Sequence, residues 1–197
     1  MAKLYFRYGA MGSSKTANAL MVRFNYIERG QSVILIKPRT DTRDGARAIR
    51  SRIGLEAEGM FIDEFLAMIE KQWTVGTKPD IACVIADESQ FLTEEQVDRL
   101  SDVVDKYGVP VICYGLRTDF QSKLFPGSRR LFELADVIEE IPTVCWCGHR
   151  AHFNARVLGG KLVTEGEQVF LGGNESYVPL CRKHFKAKDL GPSKKEA

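Results

Sequence analysis

No apolar run in this chain approaches the roughly 20 residues that a membrane-spanning helix needs, so nothing in it reads as a bilayer segment. A surplus of one charge is missing too. There are 28 Lys and Arg against 26 Asp and Glu, a net charge of +2. That gives no electrostatic case for a nucleic-acid or membrane partner. The first residues, Met1, Ala2, Lys3, Leu4 and Tyr5, start a strand at once and carry no signal peptide. The expected location is therefore cytoplasmic, where thiols stay reduced. Five cysteines are an odd number and suit no disulfide framework. Internal repeats and low-complexity segments are lacking as well. What remains is 197 residues, 44% hydrophobic and 27% charged, ordinary material for one domain with a small appendage.

Against those absences stands one stretch: Gly9, Ala10, Met11, Gly12, Ser13, Ser14, Lys15 and Thr16. An apolar run, residues 4–8, leads into it. Ala17, Leu20, Met21, Phe24 and Ile27 follow at helical spacing, with Gly30 as the stop. Strand, glycine-bearing loop, Lys-Thr and helix is the layout of a phosphate-binding P-loop. Backbone N–H groups at the helix start form an anion site, Lys15 reaches the β- and γ-phosphates, and Thr16 holds Mg. The full pattern wants glycine before the lysine, and Ser14 stands there. Residues 32–36 form a second buried-strand run, which completes a βαβ unit.

Residues 81–86 are another such run and end in Asp87 and Glu88. In a P-loop protein the first carboxylate helps hold Mg and the second can act as general base. Read alone, the pair is only an acidic strand end before a turn. Thr93 and Gln96 make a capping box for a helix that Gly108 stops. Residues 109–114 read as a fourth strand, and Val137, Ile138 and Ile141 as a fifth. Residues 40–59, with Arg43, Arg47, Arg50 and Arg52 following Arg39, read as a loop with little regular structure. Such arginines are either solvated or phosphate-facing. Asp63 and Ser128 read as helix caps. Cys83 and Cys113 sit in apolar runs and read as small buried hydrophobes.

After Pro142 the pattern changes to short alternating segments, 151–157, 161–164 and 168–171, broken by glycine pairs. Cys145 and Cys147 precede them, and Cys181 and His184 follow. Two ligand pairs joined by hairpins make a zinc ribbon, and three thiolates with one imidazole close a tetrahedral structural site. So small a segment has little core and needs such a staple. His149 and His152 are rival nitrogen ligands, and the same ligand types also suit iron.

Four motifs in order carry a resemblance over essentially the whole chain. They are the P-loop with Met11; Asp87, Glu88, Ser89, Gln90 and Phe91; Gly115, Leu116, Arg117, Thr118, Asp119 and Phe120; and Gly172, Gly173, Asn174, Glu175, Ser176 and Tyr177 before Cys181 and His184. Together they resemble thymidine kinase of the cytosolic and bacterial zinc-ribbon type. The resemblance implies transfer of the ATP γ-phosphate to the 5′-hydroxyl of thymidine or deoxyuridine, with Mg, in pyrimidine salvage for DNA synthesis. It implies Glu88 as base. It places Asp41, Arg43, Asp87 and Gln90 on the phosphate and metal side with residues 9–16. Met11, Phe91, Leu116, Phe120 and Phe125 would line the thymine pocket. Val169, Leu171, Gly172, Gly173 and Tyr177 would belong to a lasso over the base and sugar. A homotetramer and feedback inhibition by dTTP are implied as well.

The expected fold is α/β, a P-loop NTPase-like parallel sheet flanked by helices over residues 1–142. A small zinc-ribbon and lasso domain takes 143–190, and a disordered tail 191–197. Ser14 departs from the glycine common in that family, and would be strained if its position needs positive φ. Ser89 replaces a residue that is often alanine or glycine. Two rivals share the P-loop residues. One is an ATPase in which Glu88 activates water and the ribbon contacts nucleic acid. The other is a nucleotide-binding regulator without catalysis, against which Lys15 and Glu88 both stand.

Overall fold

The computed structural model describes residues 1–40, 47–168 and 177–192. In chain order the first half gives β1 (Leu4–Tyr8), α1 (Lys15–Ile27), β2 (Val33–Lys37), β3 (Ala48–Arg50), β4 (Glu56–Glu58), β5 (Met60–Phe61), α2 (Ile62–Gln72) and β6 (Cys83–Ala86). Then come α3 (Glu94–Tyr107), β7 (Val111–Gly115), α4 (Pro126–Leu134), β8 (Val137–Glu140), β9 (Thr143–Val144), β10 (Arg150–Ala151), β11 (Phe153–Leu158), β12 (Lys161–Val163), β13 (Tyr177–Leu180) and α5 (Arg182–Ala187).

The apolar runs pair as one parallel sheet in the order β5-β2-β6-β7-β1-β8. Both faces are buried, and successive residues serve opposite cores, as the two-residue period of a strand requires. Leu4, Phe6, Ile36, Val84, Ala86, Val111 and Cys113 pack with Phe65, Ile69, Val97, Leu100 and Leu131 from α2, α3 and α4. Leu35, Cys83, Ile85, Ile112 and Tyr114 pack on the other face with Ala19 and Leu20 of α1 and Ile49 of β3. Because the strands are parallel, β1, β6 and β7 all deliver their next residues to one edge. Ligands of open α/β sheets bind at that carboxyl edge.

The capping box of α3 forms in both directions, Gln96 N–H to Thr93 Oγ1 and Thr93 N–H to Gln96 Oε1, each at 3.1 Å. Gly108 closes α3 at φ 66.

Three local expectations are corrected. Residues 47–59 are not a loop: β3 and β4 pair as an antiparallel hairpin. Ile49 and Ala57 are its inward positions, hidden in the sequence among charged neighbours. Ser51 closes its turn, its N–H donating to Leu55 O at 2.8 Å and its Oγ accepting from Leu55 N–H at 2.9 Å. Asp63 does not cap α2, because β5 runs straight into the helix with Phe61 as its extended first residue. It sits in the first turn, where a carboxylate favours the helix dipole, and pairs with Arg39 at 2.6 Å. Ser128 does not cap α4 either. Pro126 opens that helix, as its fixed φ allows, and the buried Ser128 hydroxyl donates to Leu116 O at 2.6 Å.

Beyond β8 the chain makes two small antiparallel sheets, β10-β9 and β12-β11-β13. The segment expected as a strand over 168–171 is only described as far as Gln168; the third strand is β13. The buried core here is Cys145, Ala151, Ala155, Leu180 and Cys181. Among the described residues no helix is long and apolar enough to cross a membrane.

Candidate active site and metal centre

β1 hands over to the phosphate loop at Gly9, whose N–H donates to Gly115 O at 3.2 Å. A side chain there is excluded: a Cβ would stand 2.4 Å from both Ile141 O and Ser13 Oγ. Gly12 takes φ 78, and so does Ser14 enter the left-handed region, at φ 59 with no side-chain cap bond. Ser14 is thus held where glycine would be unstrained. Lys15 Nζ donates within the loop to Gly9 O, Ala10 O and Ser13 Oγ at 3.3, 2.9 and 3.2 Å. Across β7, Asp87 follows β6 and is fully buried. The Thr16 hydroxyl hydrogen-bonds it. Burial, with Glu88 beside it, pushes the Asp87 carboxyl up to about 7. A hydroxyl and a carboxylate at this point form an oxygen donor set of the kind Mg takes.

Glu88 is half-buried at the next position and also has positive φ, 50°. The Gln90 amide nitrogen donates to its Oε2. The other end of the Gln90 amide, Oε1, accepts from Leu116 N–H at 3.0 Å. Ser89 Oγ donates to Tyr114 O at 2.9 Å. A short 3-10 turn, Ser89–Phe91, is thereby seated on the end of β7.

Among the described arginines of this stretch, Arg39, Arg47 and Arg50 make surface ion pairs. Arg39 meets Asp63 and Glu64, Arg47 meets Glu64 at 2.9 Å, and Arg50 meets Glu56 at 3.0 Å. Arg52 lies against the phosphate loop, 3.9 Å from where a Cβ on Gly12 would stand. Asp41, Arg43, Val169, Leu171, Gly172 and Gly173 lie outside the described residues.

The metal-ligand expectation is met in space. The ligand atoms of Cys145, Cys147, Cys181 and His184 all lie within 4.8 Å of one another. Cys147 Sγ and Cys181 Sγ are 3.9 Å apart, and His184 Nδ1 is 3.4 Å from both Cys145 Sγ and Cys181 Sγ. With Zn–S of about 2.3 Å and Zn–N of about 2.0 Å, a tetrahedron has edges of about 3.5–3.8 Å. The residues therefore fit zinc. The His184 backbone N–H lowers the Cys181 thiol below its ordinary range, which favours the thiolate a metal needs. His184 also stacks on Trp146 at 4.3 Å. Of the rivals, His152 bonds Glu140 at 2.8 Å, and the exposed His149 borders the cluster, its Nδ1 3.4 Å from Cys147 Sγ, without joining the four grouped ligands.

Fold, phosphate loop, acidic pair and thiolate cluster agree with one comparison. The thymidine kinase family matches residues 2–185 of this chain. The chain belongs to the thymidine kinase family. The thymidine kinase of Lactococcus lactis is 46% identical over 186 residues, covering 94% of this chain and 97% of its own. That of Lactiplantibacillus plantarum is 48% identical over 188 residues, with 94% and 96% covered. That of Shewanella oneidensis is 44% identical over 187 residues, with 94% and 97% covered.

Seen as a thymidine kinase family member, the chain gathers its candidate pocket residues in two groups. Phe91 and Phe125 stack edge-to-face at 5.6 Å. Phe120 and Tyr177 are joined by Arg156, whose guanidinium lies 3.7 Å over the Phe120 ring and whose Nε donates to Tyr177 Oη at 3.0 Å. Met11 N–H donates to Asn154 Oδ1 at 2.7 Å, and Asn154 Nδ2 donates to Thr118 O at 2.9 Å. Asn154 and Arg156 are both buried on β11. Sequence reasoning missed both. The signal was there: polar residues at alternate positions on the inward face of a strand need partners.

Proposed function

We infer that this chain, a kinase by family, transfers the γ-phosphate of ATP to the 5′-hydroxyl of thymidine, with Glu88 as general base. The observation that carries this is Glu88 itself. It is a half-buried carboxylate at the carboxyl edge of the sheet, directly after the buried Asp87 and held by Gln90. A phosphoryl transferase needs positioning, charge neutralisation and a base for the attacking hydroxyl. The 5′-oxygen attacks the γ-phosphorus as its proton passes to a Glu88 oxygen, and ADP departs. The N–H groups of residues 10–16 and Lys15 supply positive potential for the phosphates. Thr16 and Asp87 would hold Mg, which when bound neutralises phosphate charge. Met11, Phe91, Leu116, Phe120, Phe125 and Tyr177 offer the apolar surface for the base. Asp41, Arg43 and the stretch 169–173 complete the assignment by resemblance.

The finer readings have their own support. Cys145, Cys147, Cys181 and His184 are assigned to structural zinc because four protein ligands leave no open position. Thiolate ligands need a reducing compartment, which supports the cytoplasm. Met21, Phe24 and Ile27 form an exposed apolar stripe on α1, each more than 40% exposed, which supports a homotetramer. The product dTTP unites the thymine of one substrate with the triphosphate of the other, which supports feedback inhibition. Residues 143–190 are read as a ribbon domain beside the sheet domain of 1–142.

The test is incubation with labelled ATP, Mg and a panel of nucleosides. Thymidine should yield dTMP, and ADP should be scarce without nucleoside. ADP production independent of thymidine would overturn the reading in favour of an ATPase.

A further inference from the structure

We propose that Gln90 is a positioning residue for Glu88, and that through its amide the base-pocket segment beginning at Leu116 sets the direction of the Glu88 carboxylate. This rests on Glu88 acting as the general base. Resemblance places Gln90 on the ATP side, and its side-chain contacts run to Glu88 and Leu116. The side chain is 1% exposed, and both ends of its amide are engaged.

The amide has only one chemically consistent orientation. Leu116 N–H can only donate, so it must face an acceptor, and that acceptor is Gln90 Oε1 at 3.0 Å. The NH₂ end is then turned to Glu88 Oε2. One carboxylate oxygen is thereby tied to a fixed donor. The seat is tight. A Cβ on Gly115 would stand 2.9 Å from Gln90 Oε1, and one on Gly127 would stand 3.1 Å from Gln90 O. Glu88 is itself in the left-handed region, at φ 50, so its side chain does not follow the direction of the strand before it. The Gln90 amide supplies a constraint on that direction. Leu116 opens the segment Leu116, Arg117, Thr118, Asp119 and Phe120, and Phe120 carries the Arg156 stack. The amide is thus a short mechanical link between the pocket wall and the reacting carboxylate.

A double-mutant cycle tests this, with turnover and affinity for a fluorescent ATP analogue measured for each variant. Glu88→Gln should lower turnover at least ~10²-fold, the share of a general base. Gln90→Met keeps length and loses both bonds. It should lower kcat about 10- to 100-fold, as loss of a hydrogen bond to a charged group predicts, and leave ATP-analogue affinity within about twofold. Gln90→Leu loses the same two bonds with a different shape, so a similar fall in kcat guards against a packing artefact of the methionine. In the Glu88→Gln background, Gln90→Met should change kcat less than about twofold, because residues that act through one another are not additive. Equal losses in both backgrounds, or a loss confined to ATP affinity, would overturn the proposal. Normal turnover by Glu88→Gln would remove the base assignment and with it this link. That outcome is told apart because it appears in the single variant, before the cycle is read.

Discussion

The carboxyl edge of the sheet and the segment beyond Pro142 fix their functional side chains by different means. At the sheet edge the chain has a large core on both faces to draw on, from Phe6, Phe65 and Leu100 to Ile85 and Tyr114. It holds Ser14 and Glu88 in left-handed conformations against that support. The ribbon has a handful of buried residues, two of them cysteines of the metal cluster. A large core can carry backbone strain of order 1–3 kcal/mol per residue. The ribbon's own left-handed residue, Lys188 at φ 54, merely closes α5, and so small a core suits a metal staple at its four ligands. The contrast teaches that the groups proposed as reactive belong to the part with the large core, while the ribbon contributes partners such as Asn154.

The comparison breaks most visibly if the metal is stripped. Structural zinc supplies on the order of 10 kcal/mol of folding free energy in small domains. Chelation, or Cys145→Ser, should abolish amide-exchange protection in β9 to β13, while β1, β2, β6 and β7 keep theirs. Protection that survives chelation would show that the ribbon core suffices alone.

Next in size is the pH dependence of the sheet edge. The Asp87 carboxyl stands at about 7 in the fold, raised by burial, against an unfolded value of about 4. Between those values the native state holds a proton that the unfolded chain has released. Its stabilising share is therefore whole below about pH 4 and is lost as pH rises towards 7. Urea unfolding without Mg should show that slope, and Asp87→Asn should flatten it. Mg binding should release the proton. An unchanged slope in the variant would mean that Asp87 is not the titrating group.

The tie between the two regions gives a smaller, sharper effect. Asn154→Leu strips partners from the half-buried Met11 N–H and the buried Thr118 O, at a cost of about 1–3 kcal/mol of unfolding free energy, read from the denaturant midpoint. No loss would mean that the regions meet without depending on that side chain.

What could be read from residues alone follows the same division. The parallel sheet was legible because strands buried on both faces are continuous apolar runs, as at 81–86. The acidic pair and the ligand pairs were legible because their spacing is local. The hairpin at 48–58 was not, since only Ile49 and Ala57 point inward among arginines and glutamates. Asp63 and Ser128 were misread because cap chemistry depends on where the preceding backbone enters the helix, which tertiary packing decides. Asn154 meets Met11 and Thr118, Arg156 meets Tyr177, and Gln90 meets Leu116, across 21 to 143 residues of sequence. No local pattern encodes those.

The smallest effect bears on the strain itself. Ser14 sits at φ 59 and ψ 28, exposed, with no side-chain bond to offset the conformation. A side chain in the left-handed region costs about 1–2 kcal/mol, whereas glycine adds about 0.4–1 kcal/mol of unfolded-state entropy. Ser14→Gly should therefore raise stability by about 0.5–1 kcal/mol, read as a higher denaturant midpoint at unchanged slope. The same relief is unavailable at Glu88, whose carboxylate is the proposed base. If Ser14→Gly lowers the midpoint instead, the serine hydroxyl supports the loop and the sheet edge is not held under strain there. The contrast with the metal-held ribbon would then rest on Glu88 alone.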